Sequence, residues 1–265
     1  MTTVPPVDSP RRRLTPILVL RSLAFGLGMA LSTLVIAPSV VLLAPFPLTV
    51  RDRLISIWAT FNIWWLAVCC RLVHEVEGLE NIPDQPCLVL SKHESAWETI
   101  SLQLYFHPHA WVLKRELLWL PLFGWALATM GPIAIDRGSG RRAVEQVVSQ
   151  GIERLKSRFW VIIFPEGTRV APGVRRRYRM GGALLAQKAG CQVVPVAHNA
   201  GDFWSRNSVI KYPGTIRMVI GPPIETDGLN VEQINRVVEN WIETTVQGLR
   251  AGPQPTCQPN AGEAV

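Results

Sequence analysis

Charged side chains are scarce in this chain. Asp, Glu, Lys and Arg make up 18% of its 265 residues, against about 25% in an ordinary soluble domain. Between Ser22 and Val50 there is none at all. Cysteine is sparse too: there are five, an odd number, and no two form a Cys-x-x-Cys pair. Neither a disulfide framework nor a zinc site is expected, and a reducing compartment is the default. Glycine has no period of three and no heptads persist, which excludes collagen-like and coiled-coil designs. No Gly-x-Ser-x-Gly elbow and no Walker-type phosphate loop occurs, so serine hydrolase and nucleotidase readings lack support.

Apolar side chains, by contrast, are plentiful at 48%, and mean hydropathy is positive at +0.18. Such a chain can bury a core, which excludes a wholly disordered protein. Lys and Arg number 27 against 20 Asp and Glu, a net charge of +7. That excess favours anionic partners: nucleic acid, acidic lipid headgroups or phosphorylated substrates. Ten Trp stand against three Tyr. Indole prefers the membrane–water interface, so the basic charge leans toward a membrane and away from nucleic acid.

The N-terminus carries Arg11-Arg12-Arg13 and then the uncharged run from Ser22 to Val50. That run is longer than the ~20 helical residues that cross a hydrocarbon core. Pro38, Pro45 and Pro47 are expected to end or kink the helix. A second uncharged run, Leu54 to Cys70, holds Trp58, Phe61, Trp64 and Trp65, and fits an interfacial helix as well as a second crossing. A signal peptide is the rival reading, but the first run exceeds the usual apolar core of such peptides and a second run follows closely. Basic residues flank the first run on both sides, so charge does not orient a single span. A hairpin with both ends on the cytoplasmic face is compatible with this.

After Arg71 the pattern changes. Strands are expected at Cys87–Ser91, Pro132–Ile135, Trp160–Phe164, Gln192–Ala197 and Thr215–Ile220. Helices are expected at Ala96–Phe106, Val144–Leu155 and Val231–Leu249. Alternating strands and helices argue for an α/β domain with a mostly parallel central sheet flanked by helices, preceded by the N-terminal membrane-embedded helical segment. The expected division is 1–71 for the tail and the two apolar helices, 72–250 for the α/β domain, and 251–265 for a loose tail.

Three stretches can carry chemistry. In Ser91-Lys92-His93-Glu94-Ser95-Ala96-Trp97-Glu98 a strand ends, a histidine follows, and a carboxylate comes five positions later. On one continuous helix that spacing would set the side chains roughly 140° apart. With His93 in the turn and Glu98 in the first helical turn they can meet, and the imidazole is then a general base oriented by a carboxylate. The plainer alternative is a strand-end histidine beside a solvated glutamate at a helix start. Phe164-Pro165-Glu166-Gly167-Thr168-Arg169 follows an apolar strand, where open α/β sheets place ligands. Arg169 can fork onto a phosphate and Glu166 can hold a hydroxyl or an arginine; an ordinary turn with a surface ion pair is the alternative. Gly131-Pro132-Ile133-Ala134-Ile135-Asp136-Arg137 runs into Gly138-Ser139-Gly140 and a helix start, a place that suits an anion. The basic run Arg175-Arg176-Arg177-Tyr178-Arg179 suits a lipid or cofactor phosphate as well as nucleic acid. His107-Pro108-His109 reads as a loop with no carboxylate or cysteine nearby, so no metal is assigned. His198 ends a strand and reads as its cap.

Together and in this order, these stretches resemble the glycerolipid (lysophospholipid) acyltransferase family. Its His-x4-Asp block is met by His93 and Glu98. Its Gly-x-Ile-x-Ile-Asp-Arg block is met by Gly131, Ile133, Ile135, Asp136 and Arg137. Its Phe-Pro-Glu-Gly-Thr-Arg block is met in full at residues 164–169, and its Val-Pro-Val block at Val194, Pro195 and Val196. The resemblance runs from about Val73 to Pro223, and the apolar N-terminal segments look like the membrane helices of bacterial members. One departure is Glu98, where the family usually has Asp; the charge is kept and one methylene is added. Some members that acylate lipid A also carry Glu there, so the departure bears on the acceptor.

The resemblance implies an acyltransferase without cofactor or metal, using acyl-CoA or acyl-carrier protein as co-substrate. His93, oriented by Glu98, would take the proton from the free hydroxyl of lysophosphatidic acid, and phosphatidic acid would form without an acyl-enzyme. Arg137 and Arg169 would hold the acceptor's phosphate, with Glu166, Gly167 and Thr168 shaping that site. The implied partners are the acyl donor, the lysophospholipid and the bilayer, with no nucleic acid. The implied place is the bacterial inner membrane with the active site on the cytoplasmic side. Leu117–Ala126 would touch the bilayer, line acyl chains or belong to the core. Two rivals remain: an acyltransferase for another lysolipid or a lipid A-type acceptor, and a catalytically silent lipid-binding membrane protein.

Overall fold

The structure, a computed structural model, describes residues 14–251. Arg11–Arg13 and nearly all of the expected tail 251–265 lie outside the described residues. Helix α1 (Pro16–Leu42) opens on Thr15, whose Oγ1 accepts from the Leu18 N–H at 3.3 Å. Pro16 gives up only an N–H that the first turn leaves unpaired anyway. Pro38 lies inside α1 and does not end it. Ser39 Oγ donates to the Val35 carbonyl at 2.9 Å, satisfying a backbone group close to the one that proline leaves unpaired. Pro45 and Pro47 instead fall in the turn before α2 (Leu48–Cys70), which Arg71 ends in the left-handed conformation at φ 52°.

The two helices form a hairpin held by polar contacts. Trp65 Nε1 donates to the Ala24 carbonyl, Trp58 Nε1 to Thr33 Oγ1 and Asn62 Nδ2 to Ser32 Oγ, each at 3.2 Å. A Cβ on Gly28 would sit 2.0 Å from Trp65 Nε1, so glycine is needed where the indole crosses. Small residues and interhelical hydrogen bonds are the usual means of joining helices in lipid. Trp58 and Trp65 therefore face their partner helix, not a lipid interface. The outward faces are apolar: Leu20, Leu23, Leu27, Leu31 and Leu34 on α1, with Ile57, Phe61, Trp64 and Val68 on α2, are exposed at helical spacing. Both helices are long and apolar enough to cross a membrane by length and composition.

The strands follow: β1 (Leu72–Glu77), β2 (Leu88–Ser91), β3 (His109–Lys114), β4 (Ile133–Ile135), β5 (Trp160–Ile163), β6 (Val193–His198) and β7 (Gly214–Ile220). They form one sheet in the order β1-β7-β6-β2-β5-β3-β4. Every pairing is parallel except β6 with β7. The remaining helices are α3 (Trp97–Ser101), α4 (Phe123–Thr129), α5 (Arg141–Lys156), α6 (Gly181–Ala189) and α7 (Val231–Ala251). The helix expected over Ala96–Phe106 is shorter: α3 tightens into a 3-10 turn at Leu102–Leu104.

Side chains alternate across the sheet. Leu88, Leu90, Val161, Ile163 and Val193 share a core with Val147 and Val148 of α5, Leu185 of α6 and Ile234, Val238 and Ile242 of α7. Val89, Trp160, Ile162 and Val194 point the other way, into a core with Trp97 and Ile100 of α3, Phe25 of α1 and Ala59 and Leu66 of α2. The helical hairpin thus covers one face of the sheet and shares its core. Ser22 on α1 ties in further: its Oγ accepts from the Lys211 N–H at 3.0 Å. The Lys211 ammonium lies 5.0 Å and 4.8 Å from the Phe25 and Trp204 ring centres.

Candidate active site

The site gathers at the C-terminal ends of β2, β4 and β5, where the chain leaves the sheet in three loops. After β2, Lys92 and His93 sit in the turn and α3 begins at Trp97. The turn brings His93 back onto Glu98: Nδ1 lies 2.8 Å from Oε1. The same oxygen accepts from the Glu94 and Ser95 N–H groups at 3.0 and 2.8 Å. Glu98 is therefore both the anchor of the turn and the partner of the imidazole. Burial alone would raise its carboxyl, but His198, His93 and the Ser95 N–H together bring it below the usual range. It stays ionised, and an ionised carboxylate at Nδ1 fixes the tautomer that leaves Nε2 as the accepting nitrogen.

Phe164 lies flat on the His93 ring, with centres 3.9 Å apart and planes 11° from parallel, and Trp111 stacks on Phe164 in turn. Hydrogen bond and stacking together leave the imidazole little freedom. The loop after β5 clamps the His93 backbone from both sides: Glu166 Oε1 accepts from the His93 N–H at 3.3 Å, and the Val170 N–H donates to the His93 carbonyl at 2.8 Å. Glu166 is fully buried. It reaches beneath His93 and does not enter the cavity above it.

Gly167 takes φ 71°, and a Cβ there would lie 2.5 Å from Arg179 Nε. Its carbonyl accepts from Arg137 Nη1 at 2.7 Å. Glycine thus lets two guanidinium groups close on one turn. Arg137, Arg169 and His93 line one cavity, while Glu98, Glu166, Gly167 and Thr168 are not among its wall residues. The cavity, about 340 Å³, is otherwise mainly apolar and runs between the sheet and the hairpin along Ile36, Ala37, Val40, Ile55 and Trp58. Among the described residues, Arg137, Arg169 and Arg179 form no ion pair with a carboxylate. Burial and the neighbouring Arg179 charge hold the Arg137 guanidinium below its ordinary value, with the Glu116 charge pulling the other way.

Beneath the loop lies a layer that the sequence reading missed. Lys92 Nζ sits 2.7 Å from Glu243 Oε1 and 3.3 Å from Glu166 Oε1, all three buried, and the Tyr178 hydroxyl donates to the same Glu243 oxygen at 2.9 Å. Arg250 reaches Glu94 Oε2 at 2.6 Å and Asp202 Oδ2 at 3.1 Å. His198 is more than a strand cap. It is fully buried, its Nε2 lies 2.9 Å from the Lys92 carbonyl and 3.9 Å from Glu98 Oε2, and burial pushes its imidazole down while the Glu98 charge pulls the other way. Only its place at the end of an apolar strand pointed to the site. Of the basic run, Arg175 pairs with Glu239 at 2.9 Å, Tyr178 is buried and Arg179 lies against Gly167.

Comparison with known proteins follows the same lines. The acyltransferase family model matches residues 73–199, which hold both loops that meet at His93. The chain is 42% identical to the 1-acyl-sn-glycerol-3-phosphate acyltransferase of Pseudomonas aeruginosa, over 91% of this chain and 95% of that protein. It is 28% identical to a chloroplastic 1-acyl-sn-glycerol-3-phosphate acyltransferase of Brassica napus, over 83% of this chain and 67% of that protein. The crystal structure of the 1-acyl-sn-glycerophosphate acyltransferase PlsC of Thermotoga maritima superposes with a TM-score of 0.75, covering 89% of this chain and 97% of that one. At 23% identity that likeness is one of fold.

Proposed function

The chain belongs to the acyltransferase family, and from that premise we propose that it acts as a 1-acylglycerol-3-phosphate O-acyltransferase. It moves an acyl chain from an acyl thioester to the free hydroxyl of lysophosphatidic acid. The observation that carries this reading is one cavity lined by the Glu98-held imidazole of His93 together with Arg137 and Arg169, two guanidinium groups that meet no carboxylate at ion-pair distance among the described residues. His93 Nε2 takes the acceptor's hydroxyl proton as the oxygen attacks the thioester carbonyl. Glu98 stabilises the imidazolium that forms. The C–S bond breaks, and the thiolate leaves with the proton that the imidazolium returns. The guanidinium groups hold the acceptor's phosphate bidentately, and the apolar channel takes an acyl chain. The extra methylene of Glu98 does not break the dyad, since the carboxylate reaches Nδ1 and two backbone N–H groups at once.

Residues 1–71 anchor the protein, with the apolar outer faces of α1 and α2 in the bilayer, and residues 72–250 form the acyltransferase domain. The donor is acyl-CoA or acyl-carrier protein, and the site faces the cytoplasm, where both are found. An assay of the purified protein in detergent, with each donor and with phosphorylated and neutral lysolipids, tests the reading. Acyl transfer to lysophosphatidic acid well above transfer to monoacylglycerol supports it. Equal use of the two acceptors overturns the phosphate assignment.

A further inference from the structure

Asp52 and His107 stand 55 residues apart in sequence and meet in the fold, with His107 Nδ1 3.1 Å from Asp52 Oδ2. Asp52 belongs to the first turns of α2, and His107 precedes β3. His109, the first residue of β3, completes a group in which one ligand atom from each residue lies within 4.8 Å of the others. The histidine pair read as an isolated loop from its own neighbourhood. The carboxylate that it lacked comes from the helical hairpin.

Two features separate this group from an ordinary ion pair. His109 is 6% exposed, yet its Nδ1 has no hydrogen-bond partner, and Asp52 Oδ1, also buried, has none. A buried polar atom left without a partner is destabilising, and here two such atoms belong to one cluster. We propose that Asp52, His107 and His109 form a binding site for a divalent transition-metal ion of the zinc class.

The donor set fits. Two imidazoles and one carboxylate are a common zinc set, with a fourth position left to water. His109 Nδ1 is buried and has no hydrogen-bond partner, so it is open to a ligand position. Metal–ligand distances of about 2.0–2.1 Å require the three atoms to draw somewhat closer, and the half-buried His107 ring has the freedom to do so.

The position gives the ion a consequence. It would join the start of α2 to the start of β3, and so pin the hairpin to the sheet. His109 also lines the cavity. Its ring meets Trp111 edge-on at 5.3 Å, Trp111 stacks on Phe164 at 5.6 Å, and Phe164 stacks on His93. The site thus stands apart from the reacting atoms but braces the aromatic wall beside them. It does not depend on the identity of the acyl acceptor.

The test uses the full-length protein in detergent, freed of metal with a chelator and titrated with zinc or cobalt(II). One equivalent should bind with submicromolar Kd and raise Tm. The cobalt form should show the visible bands of a low-coordinate site without thiolate charge transfer. Asp52→Asn and His107→Gln, both at half-buried positions, should each weaken binding at least tenfold and lose the Tm gain. His74→Gln, at a histidine outside the group, should bind as wild type does. Sub-stoichiometric binding by wild type, thiolate bands, or equal affinity in the Asp52 and His107 variants would overturn the proposal. A variant that does not fold shows itself by circular dichroism, and the other variant then decides.

Discussion

Basic side chains lie on both sides of the His93 loop, and the two groups differ in their partners. Below the loop, Lys92 faces Glu243 and Glu166, and Arg250 faces Glu94 and Asp202. Beside the cavity, Arg137, Arg169 and Arg179 face no carboxylate at ion-pair distance among the described residues. A buried charge must be paired, because desolvation outweighs any gain it makes alone. A charge at the rim of a cavity can wait for a ligand. Charge balance thus sorts arginines and lysines that composition alone cannot tell apart: the neutralised layer holds the loop, and the unbalanced one is left to bind.

His93 lies between the two layers, and its removal should have the largest effect on turnover. His93→Ala should lower kcat by about 10²–10⁴, the usual worth of a general base. Melting temperature and membrane association should stay near wild type, since the paired layer below is untouched. A variant that keeps more than half of wild-type kcat removes His93 from the mechanism.

The lower layer should fail in the opposite way. Glu243→Leu takes from Lys92 its nearest counterion and from the Tyr178 hydroxyl its acceptor. Breaking one side of a buried pair costs about 3–5 kcal/mol, or roughly 10 °C in Tm for a chain of this size. Well below that Tm, the KM for the acceptor should hardly change. A Tm within two or three degrees of wild type, read by calorimetry or circular dichroism, would show that the layer does not support the fold.

These two variants also mark what the sequence made legible. His93, Glu98, Arg137 and Arg169 stand in loops at the ends of apolar strands, so local patterning located them and the fold brought them together. Strands β2, β4, β5, β6 and β7 were readable as apolar runs. Strand β1, Leu-Val-His-Glu-Val-Glu, is an edge strand whose polar alternate side chains break the run. Strand β3 was hidden behind His107-Pro108-His109. The antiparallel turn of β7 has no local signature. Lys92, Glu166, Glu243 and Arg250 are paired across most of the domain, and no spacing in the sequence encodes a contact between β2 and α7. The paired layer is a tertiary fact, whereas the binding layer belongs largely to the motifs.

Arg169 tests the upper layer by itself. Its guanidinium can meet two phosphate oxygens at once, which a lysine ammonium cannot. Arg169→Lys should raise KM for lysophosphatidic acid about tenfold, the worth of one lost charge-assisted hydrogen bond. KM for monoacylglycerol and for the acyl donor should stay close to wild type, as should Tm. Equal changes for both acceptors would make Arg169 a structural residue of the turn and move it into the paired layer.

The smallest effect concerns how well the lower layer is balanced. Lys92 offers one positive charge to two buried carboxylates, so one of them tends to hold a proton. Burial pushes Glu166 up from 4.5 to about 7, with Lys92 pulling the other way and Glu243 adding to the rise. A carboxyl raised in the native state takes up a proton on folding. Between about 4.5 and 7 the native state then holds more protons than the unfolded chain, and stability from this group falls as pH rises through that interval. The slope is at most about 1.4 kcal/mol per pH unit for one proton. His109 and His198, lowered by burial, act in the opposite sense, so the total profile of wild type does not isolate Glu166. The difference from Glu166→Gln does. Glutamine imitates the protonated carboxyl, so the variant should match or exceed wild type in stability above pH 7. Its advantage should shrink as pH falls toward 5, as read by denaturant unfolding at several pH values. A stability difference that does not vary with pH would mean that Glu166 stays ionised throughout, and that Lys92 balances it as fully as Glu243.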